Sequence, residues 1–209
     1  MSASSFWNVI AGYNKHTLYI QLILVTIIII SIIVAYTRQL NFLPKIALGI
    51  GCLFIGLIFF LYYGTEPVQH FFAAPLFIAS GVLFIYEAKM NKADMMEKPN
   101  IITSILFIIV LLYPLISNIL GNVYPTTVLL IMPCPMISLC ILIYSCYARR
   151  NRLLMVLLII WGMTGIKSLF FNVYEDLILL TCGFYGIYLM ITAKGSKTGF
   201  KTYQMSKKR

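Results

Sequence analysis

The composition of this 209-residue chain differs from that of a water-soluble protein. Hydrophobic residues make up 61% of it and charged residues 11%, against roughly 45–50% and about 25% in ordinary soluble domains. Its mean hydropathy of +0.92 leaves too little polar surface to cover a body that faces water. These values exclude a soluble globular domain and predict an all-α polytopic membrane protein. The net charge of +10 is therefore considered first as a topology signal.

Seven apolar runs approach the roughly 20 residues that a helix needs to cross a bilayer. They cover residues 18–37, 43–63, 68–88, 101–121, 126–147, 153–172 and 175–193. The runs are apolar on all sides and do not alternate with polar residues, which excludes strands of a membrane barrel. Because a backbone in hydrocarbon must satisfy its own hydrogen bonds, we predict a seven-helix transmembrane bundle over residues 18–193.

The basic residues predict the orientation of this bundle. Of the 16 Lys and Arg residues, 14 follow spans one, three, five and seven. Since Lys and Arg near span ends are retained in the cytoplasm, we predict an outside N-terminus, a cytoplasmic C-terminus and insertion in the cytoplasmic membrane. The positive charge is then explained without a nucleic-acid partner.

The two termini carry separate predictions. Residues 1–17 lack the features of a cleaved secretory signal and include Trp7 and Tyr13, which favours a short interfacial helix outside the membrane. A lid that contacts a ligand is the alternative for this segment. Residues 194–209 form a predicted basic cytoplasmic tail that binds anionic lipids, or else a membrane-protein partner.

Familiar catalytic and cofactor motifs are missing. The sequence has no H-E-x-x-H, G-x-S-x-G, P-loop or G-x-G-x-x-G pattern, and its two histidines both lie near the predicted outer face. All five cysteines fall within predicted spans without C-x-x-C spacing, so we interpret them as buried apolar residues and not as disulfides or a zinc site. We therefore predict no catalytic residue, and the sequence indicates no particular cofactor.

Lys167 is the only charged residue deep within a predicted span. Counting 1.5 Å per residue, Pro75, Pro114, Pro133, Pro135 and Lys167 fall near one depth, about 10 Å below the outer surface. Proline frees backbone carbonyls, Ile131 among them, for new partners. Kinks and free carbonyls around an ammonium favour a cavity open to the outside, whose candidate residues are Lys167, Cys134, Pro133, Pro135 and Trp161.

Lys167 has two other interpretations, as an interfacial residue and as a retinal attachment site. It could extend to the outer interface and pair with Glu175 or Asp176, in which case proline is an ordinary component of the spans. A retinal Schiff base is excluded because Lys167 is not in the last span and span three offers no counter-ion at that depth.

Charged residues also gather at the predicted outer mouth. Glu66 and His70 are spaced i, i+4 and could share a helix face, while Glu175 and Asp176 precede span seven. This predicts control of charge at the cavity entrance, with Glu66 and His70 as weak metal or proton candidates. Capping of helix N-termini is the alternative role for the carboxylates.

A set of motifs resembles an uncharacterised bacterial family of small multi-pass membrane proteins, a domain of unknown function. The motifs are Tyr13-Asn14, Phe71-Phe72-Ala73, Tyr113-Pro114, Gly121-x-x-Tyr124-Pro125, Pro133-Cys134-Pro135, Trp161 and Glu175-Asp176. The resemblance covers roughly residues 6–193. The chain departs from the family pattern at Met136-Ile137-Ser138, in place of a Thr-rich stretch, and at Lys167, in place of a small or neutral residue. The resemblance implies a bacterial membrane protein and supplies no substrate, cofactor or catalytic residue.

The sequence therefore favours a binding or transport-type membrane protein with an outward-facing polar cavity for a small molecule or ion. Lys167 would attract an anionic or carbonyl-bearing group. Two alternatives remain: a non-catalytic assembly subunit of a membrane complex, and a membrane enzyme that acts at the outer leaflet. They differ in the role that they give to Lys167.

Overall fold

The computed structural model describes residues 3–91, 94–168 and 173–192, with side chains from residue 7 onward. Within these ranges the regular structure is helical, which confirms the predicted all-α class. The predicted basic tail and the end of predicted span six lie outside the described residues.

Helix α1 (Ala3–Arg38) is one continuous helix of 36 residues. At 1.5 Å per residue it is about 54 Å long, well beyond the roughly 30 Å hydrocarbon core of a bilayer. The predicted boundary at residue 17 therefore falls within an unbroken helix. Its first part packs on the rest of the protein, because Ile10 and Tyr13 are almost fully buried.

Helices α2 and α3 form a closely packed pair. Helix α2 (Leu43–Phe54) continues as a π-helical stretch over Ile55–Tyr62, and a second π-helical stretch over Gln69–Ala73 leads into α3 (Ala74–Met90). A Cβ atom placed on Gly81 would lie only 2.8 Å from the carbonyl oxygen of Gly49. Glycine is thus required at the crossing of the two helices.

Predicted span four is not one straight helix. It divides into α4 (Ile101–Leu111) and α5 (Tyr113–Ile119), which are bent by 52°. Pro114 explains the bend, because it lacks the N–H that would bond the carbonyl four residues earlier. The span predicted over 101–121 is thus a bent pair of helices, with the bend at one of the prolines where a kink was expected.

Predicted span five also begins later than expected. Residues 120–132 contain no regular helix, and α6 (Pro133–Ser145) begins at a proline. Proline suits the first turn of a helix, where its missing N–H has no partner in any case. Helix α6 then runs through the core, with 11 of its 13 residues buried.

The last helices form a second close pair. Helix α7 (Arg152–Met163) ends in a 3₁₀ turn over Thr164–Lys167, and a 3₁₀ turn over Tyr174–Asp176 precedes α8 (Leu177–Thr192). The side-chain oxygen of Asn151 caps α7 by accepting hydrogen bonds from the N–H groups of Leu153 and Leu154.

Four segments of the described chain are long and apolar enough to cross a membrane: Trp7–Arg38, Leu43–Tyr62, Gln69–Met90 and Tyr174–Thr192. The bent pair α4 and α5 would make a fifth. The remaining two predicted spans contain α6 and α7, of 13 and 12 residues. Length and composition thus support several spanning helices and do not by themselves give seven.

A buried ion-pair cluster joins the helices at one end of the bundle. Lys45 is fully buried, and its ammonium lies 2.9 Å from Asp94 and 3.8 Å from Glu87. Asn91 and Asn151 both donate hydrogen bonds to the Glu87 carboxylate. These residues come from α2, α3, the segment after α3 and the start of α7, so the cluster connects four parts of the chain. The charge of Lys45, one of the 14 basic residues that predicted the orientation, is thus paired inside the protein.

Candidate functional site

A cavity of about 340 Å³ lies at the opposite end of the bundle from the Lys45 cluster. Its wall is formed by parts of six elements. These are the start of α1, the end of the π-helical stretch after α2, the chain leading into α3, the start of α6, the end of α7 and the turn before α8. Most of its wall is apolar. The aromatic lining residues are Trp7, Phe59, Phe60, Phe72 and Trp161.

These aromatic rings are held by edge contacts. The Trp161 indole packs against the Phe60 ring at 5.3 Å and against Phe77 at 5.0 Å between centroids, both edge to face. Phe59 meets Phe60 in the same way at 5.0 Å. Such packing fixes the rings, so one side of the cavity is a rigid apolar surface.

Polar and charged groups line the rest of the cavity. They are Glu66, Gln69, Cys134, Thr164, Lys167, Ser168 and Asp176. A concave, mostly apolar pocket with a few convergent polar groups is the usual form of a small-molecule site.

Asp176 is fixed in the cavity wall by two neutral donors. The Tyr113 hydroxyl donates to its Oδ1 at 2.7 Å, and the Cys134 thiol donates to its Oδ2 at 3.2 Å. The two donors come from α5 and α6, so three elements meet at this carboxylate. Its orientation is therefore set by the fold.

Glu175 belongs to a separate buried network beside the cavity. Ser117 and Asn122 donate to its Oε1 at 3.1 and 3.0 Å. Its other oxygen has no hydrogen-bond partner among the described residues. Glu175 and Asp176 were expected as alternative helix caps. Their carboxylates instead accept hydrogen bonds from side chains, and the sequence did not indicate these bonds.

Several donors in the cavity wall have no hydrogen-bond partner among the described residues. The Lys167 side chain lines the cavity, is exposed, and makes no ion pair with any described residue. Next to it, Ser168 is only 2% exposed, yet its hydroxyl finds no partner within the described chain. The Trp161 indole N–H lies near the Cys134 thiol, but the two groups do not have the geometry of a hydrogen bond.

Helix α1 is tied to the irregular segment that borders the cavity. The Asn14 side chain donates to the carbonyls of Pro125 and Thr127, both at 2.8 Å. Gln21 in turn donates to the Asn14 side chain at 3.1 Å. Side chains of α1 thus satisfy backbone carbonyls that no helix can satisfy.

Six of the residues selected from the sequence line the cavity together: Lys167, Cys134, Pro133, Trp161, Glu66 and Asp176. Three others do not. Pro135 is buried in α6, because two residues on a helix turn a side chain to the opposite face. Glu175 faces its own network, and His70 lies outside the lining.

Among the described residues, no third ligand joins Glu66 and His70 to form a metal site. No group of three His, Cys, Asp or Glu side chains placed to hold a metal ion occurs in the described parts of the chain. The chain also turns π-helical at Gln69, which alters the i, i+4 spacing on which that hypothesis rested. All five cysteines are free.

Sequence reasoning missed several contributors to the site. Trp7 and Ile10 line the cavity, so the start of α1 forms part of its wall. Tyr113 and Ser117 were not predicted to hold the two acids. Ser168 could have been found from its position beside Lys167, whereas Phe59, Phe60 and Phe72 were indistinguishable from lipid-facing residues.

Comparison with known proteins gives a family and no activity. No curated protein and no solved structure matches the chain. A model of a family of unknown function, DUF6064, matches residues 3–199. The chain belongs to the DUF6064 family.

Proposed function

We propose that this protein is an integral protein of the cytoplasmic membrane that binds a small molecule in the cavity. The bundle has seven spans, an outside N-terminus and a cytoplasmic C-terminus, so that the cavity opens outward. The ligand carries an anionic or carbonyl-bearing group that is received by Lys167.

The exposed surface supports membrane insertion. Large apolar side chains are exposed along α1, including Ile20, Leu22, Ile23, Ile30 and Ile33. Apolar surface of this extent requires lipid or a partner to cover it. On the proposed topology the buried Lys45 cluster lies at the cytoplasmic end, and Arg38 closes α1 at the same end.

The broken helices support a binding role for the cavity end. At membrane depth, irregular backbone is tolerated only where it is buried in protein or lines an aqueous cavity. The break between α4 and α5, the segment 120–132 and the 3₁₀ turn over Tyr174–Asp176 all lie beside the cavity. Discontinuous helices around a binding site are a common design in membrane transport proteins.

The unpaired hydroxyl of Ser168 beside Lys167 is the observation that carries the proposal. A buried polar group without a partner costs about 1–3 kcal/mol. A ligand acceptor placed between this hydroxyl and the Lys167 ammonium would relieve that cost. No other described residue of the cavity supplies an acceptor to either group.

Ligand-dependent stabilisation tests this proposal. Purified full-length protein is unfolded thermally in the presence of L-leucine, 4-methylpentanoate or glycerol 3-phosphate, each of which carries an anionic group. We expect at least one probe at millimolar concentration to raise the midpoint, because a ligand that binds only the folded state stabilises it.

The Lys167→Met variant should lose that stabilisation, whereas Lys15→Met, which removes an exposed charge of α1, should keep it. Equal stabilisation of both variants, or no stabilisation of the wild type, would contradict the proposal. If Lys167→Met changes neither binding nor assembly, the protein is better interpreted as an assembly subunit.

The topology has its own test. In a Cys134→Ser background, which removes the native cysteine of the cavity, an impermeant maleimide applied to intact cells should label a Lys15→Cys variant and leave a Lys89→Cys variant unlabelled. Both positions are exposed and lie at opposite ends of the bundle. Labelling of Lys89→Cys alone would reverse the orientation.

A further inference from the structure

Charges of both signs line the cavity. Lys167 supplies a cation, and Asp176 and Glu66 supply carboxylates. Lys167 and Asp176 do not form an ion pair, and the Asp176 oxygens are instead held by Tyr113 and Cys134. Both charge signs are therefore presented to the same space.

The two sides of the cavity also differ in hydrogen-bonding character. Lys167 offers a donor, and the hydroxyl of Ser168 beside it has no hydrogen-bond partner among the described residues. The Asp176 side offers acceptors, because each carboxylate oxygen retains a lone pair after accepting one bond. A ligand with an acceptor at one end and a donor at the other would match both sides.

A simple anion fits this lining less well. Lys167 and Asp176 together carry a formal charge of zero, which an added monoanion would make −1. A zwitterion leaves the sum unchanged and places each of its charges opposite the complementary group. In a mostly apolar pocket, where charges are poorly screened, this difference is large.

We propose that the cavity binds a small zwitterion with an apolar body. Its carboxylate or phosphate lies at Lys167 and Ser168, its ammonium lies at Asp176, and its apolar part packs against Trp161 and Phe60. This inference rests on the proposed binding function and specifies the ligand class. A free apolar α-amino acid and the phosphoethanolamine headgroup of a lipid share this chemistry.

The size of the cavity favours a single small molecule. Its 340 Å³ lies at the lower end of the roughly 300–1,000 Å³ found for small-molecule sites. A whole phospholipid could place only its headgroup there. The two sources of zwitterion are therefore distinguishable by experiment.

Matched probes test the ligand class by isothermal titration with the purified full chain. L-leucine carries both charges, 4-methylpentanoate only the carboxylate, and 3-methylbutylamine only the ammonium, on the same apolar body. We expect L-leucine to bind at least about tenfold more tightly than either single-charge probe, a difference of about 1.4 kcal/mol. Glycerophosphoethanolamine tests the lipid source, and tighter binding of that probe than of L-leucine would assign the site to a headgroup.

Two variants test which side chain binds each charged group of the zwitterion. Asp176→Asn should reduce L-leucine affinity to that of 4-methylpentanoate, and Lys167→Met should reduce it to that of 3-methylbutylamine. Lys15→Met serves as the control with unchanged affinity. If Asp176→Asn does not fold, equal affinity of the wild-type protein for L-leucine and 4-methylpentanoate would still show that the ammonium is not recognised.

The failures of the two proposals are distinct. If 4-methylpentanoate binds as tightly as the zwitterions, the zwitterion inference is wrong and the binding function stands. If no probe binds, the proposed function itself is wrong.

Discussion

The Tyr13 hydroxyl donates a hydrogen bond to the backbone carbonyl of Ile131, at 2.7 Å and across 118 residues of chain. Tyr13 is fully buried in α1, and Ile131 lies in the irregular segment just before α6. The bond thus joins the longest helix to the point where the central helix begins. It supplies the new partner that the sequence predicted the Ile131 carbonyl would need.

Removing this hydroxyl should destabilise the protein. In Tyr13→Phe the ring contacts with Phe59 and Tyr63 remain, but the buried Ile131 carbonyl loses its donor. We expect a loss of about 1–3 kcal/mol in the free energy of unfolding, measured by denaturant titration in detergent. Tyr19→Phe is the control, since Tyr19 is 82% exposed. Equal stability of the two variants would mean that the bond contributes nothing.

The crossing of α7 and α8 should tolerate no added methyl group. A Cβ atom on Gly162 would lie 2.8 Å from the Cα atom of Gly183, a backbone atom that cannot move aside independently. We expect Gly162→Ala to destabilise the fold by about 1–3 kcal/mol, as overpacking does.

Gly12→Ala is the matched control for that crossing, because its nearest neighbours are ring carbons of Tyr63 at 3.7 Å. Within helix α1 it should be neutral or stabilising by up to about 1 kcal/mol. A destabilisation by Gly12→Ala as large as that by Gly162→Ala would contradict the close-packing explanation.

The buried ion-pair cluster should depend strongly on Lys45. Lys45→Met leaves the carboxylates of Asp94 and Glu87 buried without their cation. Breaking a buried pair from one side costs about 3–5 kcal/mol, which equilibrium unfolding would detect. Lys89→Met removes an exposed charge at the end of α3 and should change stability by less than about 0.5 kcal/mol. A Lys45→Met protein as stable as Lys89→Met would show that the cluster does not stabilise the fold.

Cys134 should be the first cysteine to react with a small neutral alkylating reagent. It lines the cavity, whereas Cys52, Cys140, Cys146 and Cys182 are buried. Mass spectrometry after brief treatment should locate the modification at Cys134, and Cys134→Ser should remain unmodified over the same time. A bound cavity ligand should slow the reaction. Modification of Cys52 or Cys140 at a similar rate would indicate that the bundle opens in another way.

Helix α6 and the segment before it show what the sequence pattern predicts and what it does not. The run 126–147 is apolar enough to predict a span, and its central helix is present. The helix nevertheless begins only at Pro133, because proline at the first turn and the hydrogen bonds from Tyr13 and Asn14 favour an irregular approach. Those bonds join residues more than 100 positions apart, which no local pattern reveals.

The charged residues show the same division. Spacing along the helices predicted that Lys167 and Pro133 lie at one depth, and both line the cavity. It could not show that Glu175 turns away from the cavity while Asp176 lines it, since adjacent residues on a tight turn point in different directions. It also could not show that Lys45 is buried in an ion pair.

The sequence by itself determined the helical class and the apolar segments, and it singled out the few polar exceptions within them, because each depends on a residue's own hydrophobicity and on spacing along the chain. Only the tertiary structure decided which of those exceptions share a cavity and which donors remain unpaired there. Those properties depend on how separate helices rotate and cross, and packing between distant parts of the chain sets both.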